Sequence, residues 1–86
     1  MINLKEACRL VLSKHPGEYI HVVNEYENAY EFILLNKDEE PDEFISILCA
    51  TVINKQTGQI KDSLLGMDPT CQGRYKQYAK EELEGM

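Results

Sequence analysis

The chain has 86 residues, 43% of them hydrophobic, with five tyrosines and two phenylalanines, which is enough apolar material for one folded domain over residues 1–86. No apolar run approaches the ~20 residues that cross a bilayer; the N-terminus has no apolar block of signal-peptide type, and three widely spaced cysteines make a poor disulfide framework, so a cytoplasmic, reducing setting and no membrane partner are expected. The net charge is −6, and residues 18 to 48 hold nine acids against Lys37 alone, which speaks against a nucleic-acid binder and allows a basic partner.

In chain order, Asn3 and Glu6 form a capping-box-like pair, and Leu4, Ala7, Cys8 and Val11 recur at helical spacing, which predicts a helix over 4–14. His15-Pro16-Gly17 should end it, because proline disfavours helix at the preceding residue and glycine permits a left-handed turn. Tyr, Ile and Val enrichment predicts a strand over 18–26, and Glu27-Asn28 turns into a second strand over 29–36. Tyr30, Phe32 and Leu34 share one of its faces, and Glu31, Ile33 and Leu35 share the other, so its outer face is expected to be partly covered.

The run from Lys37 to Glu43 holds five acids and Pro41, and reads as an exposed loop. An almost wholly apolar third strand over 44–54 is predicted as the spine of the sheet. Lys55-Gln56-Thr57-Gly58 supplies a turn into a fourth strand over 59–63. Asp68-Pro69 has the order of a helix start, and sparse apolar positions at Tyr75, Tyr78, Ala79 and Leu83 predict a second helix over 69–84. The expected fold is α+β: an N-terminal helix packed on a four-stranded antiparallel sheet, followed by a C-terminal helix.

Few residues carry recognisable chemistry. Cys71 would occupy the third position of the second helix, where free N–H groups lower a thiol pKa, but a small side chain at a helix end is the plainer reading. Cys8 and Cys49 lie within apolar stripes and read as core. Zinc sites pair ligands at close spacing, and a set built from Cys8, His15 and His21 lacks that spacing; His15 reads as a cap-side cation and His21 as solvent-facing. The acids of the 37–43 loop have no central glycine for an EF-hand, and a solvated carboxylate is poorly tuned for acid/base work. With no phosphate loop, dinucleotide fingerprint or nucleophile elbow, no cofactor or metal is implied and the chain reads as non-catalytic.

The hairpin Ile53-Asn54-Lys55-Gln56-Thr57-Gly58-Gln59-Ile60, following a helix and a strand pair, resembles the Thr-Gly hairpin of two groups of small domains. In PepSY-like domains the helix near Ala7 is followed by a strand similar to Tyr30-Glu31-Phe32; these domains are mostly exported and implicated in peptidase restraint or protein binding. Cytoplasmic bacterial immunity proteins of polymorphic toxin systems look like the same helix and sheet with a polar C-terminal segment. The absence of an export signal favours the second group, and the resemblance gives Thr57 and Gly58 structural roles only. The resemblance implies a protein partner, and the excess of acids over residues 18 to 48 makes a basic toxin the most concrete one, neutralised through an acidic surface expected from Glu25, Glu27, Glu31, Asp38, Glu39, Glu40, Asp42 and Glu43. The alternative is a peptide- or small-molecule-binding accessory domain using the outer face of strands two and three. A homodimer through a sheet edge or the second helix is compatible with both.

Overall fold

The computed structural model of the chain describes residues 1–37, 49–73 and 76–84. Helix α1 spans Leu4–Lys14. Asn3 precedes it in extended conformation and its Oδ1 accepts the Glu6 N–H at 2.8 Å, satisfying one of the donors that every helix start leaves free. At the other end the His15 N–H donates to Leu12 O at 3.2 Å, and Gly17 takes φ +89, the left-handed turn that residues with a Cβ avoid.

Five strands follow: β1 (Glu18–Glu25), β2 (Ala29–Asn36), β3 (Cys49–Asn54), β4 (Ile60–Leu64) and β5 (Lys76–Ala79), and then a short helix α2 (Lys80–Glu84). They form one sheet in the order β4-β3-β2-β1-β5, with every neighbouring pair antiparallel. The fold class is α+β as expected, with one strand more than anticipated. The central strand is β2 rather than the third strand, which lies between β2 and the edge strand β4. Residues 44–48 of the predicted third strand lie outside the described residues. Among the described residues no helix is long and apolar enough to cross a membrane.

The predicted helix over 69–84 is replaced by a turn, β5 and the five-residue α2. Asp68 does act as a cap: its Oδ1 accepts the Thr70 N–H at 2.8 Å, and its carbonyl accepts the Cys71 N–H at 2.9 Å. One turn is nonetheless too short to propagate a helix, and Gly73, at φ +67, leaves helical space altogether. Downstream, Tyr78 pairs opposite Val23 on β1, where strand pairing and core contact outweigh a weak helical pattern.

The helix-side core consists of Ala7 and Val11 from α1 against Val23, Tyr30, Phe32 and Ile53 from the three inner strands. A bulge makes this possible. Register passes from Ile20 opposite Leu34 to Val22 opposite Ile33, so His21 is extra, and Ile20 and Val23 reach the same face although they are three residues apart.

The Thr-Gly hairpin closes as its sequence suggests. Asn54 Oδ1 accepts the N–H groups of Gln56 and Thr57, Thr57 Oγ1 accepts that of Gln59, and Gly58 sits at φ +76. A Cβ at Gly58 would lie 3.1 Å from Ile2 Cδ1, and the Ile2 N–H donates to Lys55 O at 2.8 Å, so the turn also holds the chain that leads into α1.

Candidate functional site

Of the eight acids expected to form a partner surface, the three that are described, Glu25, Glu27 and Glu31, do not form one group. Glu25, at the end of β1, is paired inside the molecule: Oε2 lies 2.8 Å from Lys55 Nζ and Oε1 accepts the Tyr78 hydroxyl at 2.8 Å. Lys55 is itself buried, with its ammonium 4.6 Å from the centre of the Tyr30 ring. This hairpin residue anchors the turn to β1.

Glu31 is buried further, at 0% exposure. It lies on the face of β2 away from α1, where Oε1 accepts Asn24 Nδ2 at 3.0 Å and the Tyr26 hydroxyl at 3.1 Å, and Oε2 accepts the Gly66 N–H at 2.8 Å. Asn24 Oδ1 in turn accepts Gln77 Nε2 at 2.8 Å. One carboxylate therefore ties β1, β2 and the loop after β4 together, and reaches β5 through Asn24. Burying a charge is costly unless hydrogen bonds replace its water, and these donors are the replacement. Glu25 and Glu31 are thus scaffold groups and do not belong to a docking surface. Glu27 is exposed, and Asp38, Glu39, Glu40, Asp42 and Glu43 lie outside the described residues.

The outer sheet face offers no apolar docking surface at β2 either. Ile33 and Leu35 are 6% and 1% exposed, and Ala50 and Val52 on β3 are buried beside them. These positions of β2 and β3 therefore present little apolar area to a ligand.

Cys71 sits in the same polar layer. Burial, and then the negative charges of Glu31 and Asp68, push its thiol up to about 12, so it is protonated at neutral pH. No helix starts beside it, and the reactive-thiolate reading fails on both counts. Burial opposes ionisation of Asp68 also, but hydrogen bonds from Lys61 and Thr70 and the Lys61 charge, with Nζ at 2.8 Å, outweigh it and hold the carboxyl below its ordinary value. Burial raises the Cys8 thiol. Cys49, expected in the core, opens β3 and is exposed.

Two cavities flank α1. The smaller, about 280 Å³, holds His15, Glu18, Thr51 and Asp62. His15 Nδ1 is 3.2 Å from Glu18 Oε2, and Nε2 is 3.5 Å from Thr51 Oγ1, an acid, imidazole and hydroxyl in the order of a nucleophilic triad. The hydroxyl is committed elsewhere: it donates to Asp62 Oδ1 at 3.1 Å, from a strand residue only 5% exposed. The cluster works as a polar clasp between the end of α1 and β4. Among the described residues no group of three or more His, Cys, Asp or Glu side chains is arranged to hold a metal ion.

The larger cavity, about 430 Å³, is an open groove between α1, the start of β1 and α2. β5 stops pairing at Ala79 opposite Val22, and the chain turns into α2, which leaves the edge of β1 at Glu18, Tyr19 and Ile20 without a neighbour from β5. Cys8, Leu12, Ile20 and Leu83 supply apolar lining, while Lys5, Lys37 and Lys80 come to the same groove from three separate segments. No feature of the sequence gathers these three lysines.

Compared with known proteins, the chain matches no protein-family model, no curated protein and no solved structure.

Proposed function

We propose that this chain is a non-catalytic protein-binding domain, most concretely an immunity-type protein that neutralises a basic toxin partner. The observation that carries the reading is the division among its acids. Glu25 and Glu31 are consumed by Lys55, Tyr78, Asn24, Tyr26 and Gly66, whereas Glu27 is exposed and Asp38, Glu39, Glu40, Asp42 and Glu43 follow β2 in sequence with only Lys37 to offset them. A charge excess of this kind, once the internal acids are set aside, steers and orients a basic partner and disfavours an acidic one.

The test combines the protein with a toxin encoded beside it and reverses Glu39, Glu40, Asp42 and Glu43 to lysine. Loss of binding and of protection, with an unchanged circular dichroism spectrum, supports the reading. Unchanged protection removes the acidic segment from the mechanism.

A further inference from the structure

We propose that the groove between α1, β1 and α2 is a binding site for a small amphipathic carboxylate, with an apolar body against Cys8, Leu12, Ile20 and Leu83 and an anionic head among Lys5, Lys37 and Lys80. Charge complementarity selects this occupant. The whole chain is −6, yet three of its nine basic residues line one groove, where Glu18 is the one acid among the described lining residues. Glu18 lies 3.2 Å from His15 Nδ1, and the three ammonium groups outnumber this one carboxylate and set the sign of the local field.

Among the described residues none of the three lysines is paired with a carboxylate. Lys80 lies with its ammonium 4.8 Å from the centre of the Tyr19 ring, which holds it over the groove without neutralising it. The volume, about 430 Å³, falls in the range of sites that enclose small organic ligands, and an apolar lining with few polar groups is their usual chemistry. A fully polar anion would leave the lining wet, and a neutral apolar molecule would leave three ammonium groups facing it. A molecule with both characters satisfies both parts of the wall.

Binding is tested by titrating decanoate into the full ¹⁵N-labelled chain below its micellar concentration and following amide shifts. The expected result is saturable perturbation centred on Cys8, Leu12, Ile20 and Leu83. Decan-1-ol, which has the tail without the charge, and inorganic phosphate, which has charge without the tail, should each bind at least about tenfold more weakly. The variant K5E/K37E/K80E should weaken decanoate about tenfold with its unfolding midpoint retained. Leu12→Glu, on an exposed position of α1, provides a second route if the triple variant does not fold, and should also weaken binding. Equal binding of decan-1-ol, equal binding of phosphate as an adventitious ion only, shifts centred away from the groove, or association only with phosphatidylglycerol vesicles would each overturn the proposal. Because the two tests change different residues and read different ligands, failure here leaves the toxin-binding reading standing, and failure there leaves this one.

Discussion

The two faces of the sheet solve the same burial problem by different chemistry. Towards α1, Val23, Tyr30, Phe32 and Ile53 interlock with Ala7 and Val11, and stability there comes from apolar area removed from water. On the opposite face, Ile33, Leu35, Ala50 and Val52 are buried alongside a carboxylate whose hydrogen bonds fasten the Gly66 loop and, through Asn24 and Gln77, the edge strand β5. The first face tolerates small adjustments in shape, whereas the second depends on a complete set of donors. A buried polar network with one partner removed is worse than none.

The largest effect should come from the apolar face. Phe32→Ala is expected to cost about 3–5 kcal/mol through lost contacts and the cavity left behind, a large share of the total for a domain of this size. Urea unfolding checks it, and a loss below about 1 kcal/mol would mean that Phe32 is not packed as described.

Glu31→Gln comes next and probes the other face. The amide keeps one acceptor but turns an NH₂ towards groups that are themselves donors, so about 1–3 kcal/mol should be lost and the Gly66 amide should lose protection from hydrogen exchange. An unchanged Gly66 amide would contradict the hub.

Lys61→Met sharpens the comparison at the rim of the same layer. The folded Asp68 pKa is depressed, so its contribution is present above the ordinary value of 3.8 and is lost as pH falls through the folded value. Lys61 is 54% exposed, so the variant should lose less than about 1 kcal/mol near neutral pH and nothing once Asp68 is protonated in both states. A difference that persists in strong acid would assign the effect to something other than this pair.

Thiol labelling gives the smallest energetic effect and a clear rate order. Near neutral pH Cys49 should react first with a disulfide reagent, with Cys8 and Cys71 slower because burial raises both thiols. Since the folded Cys71 pKa is raised from 9.0 to about 12, its contribution to stability is full below pH 9.0 and declines as pH rises towards about 12. Labelling of Cys71 at the rate of Cys49 would rule out the protonated, enclosed thiol.

Features governed by local rules were legible in the sequence. The Asn3 cap, the stop at His15-Pro16-Gly17, the first hairpin and the Asn54 to Gln59 turn follow from neighbours within a few residues, and each formed as its residues suggest. Features decided by distant partners were not. Tyr78, Ala79 and Leu83 have helical spacing, yet pairing with β1 makes a strand of the first two and leaves Leu83 for α2. Alternation on β1 would separate Ile20 from Val23, and only the bulge at His21 unites them.

The acids show the same limit. Glu25 and Glu31 read as surface groups because they belong to the acidic excess of residues 18 to 48. One signal pointed the other way: Glu31 lies between Tyr30 and Phe32 in a strand of nearly continuous apolar residues, where a charge implies donors brought from elsewhere in the chain. The groove lysines at 5, 37 and 80 carry no local signal, since only the end of β5 and the turn into α2 bring them together.

The division between acids that hold the fold and acids left for a partner rests on Glu31 being a bonded, internal group. A double-mutant cycle between Glu31→Gln and Tyr26→Phe, read by urea unfolding, measures that bond directly. A coupling of at least about 0.5 kcal/mol is expected for groups in one buried network. Strict additivity of the two losses would show that the carboxylate and the hydroxyl act independently, and would contradict the bond drawn between them.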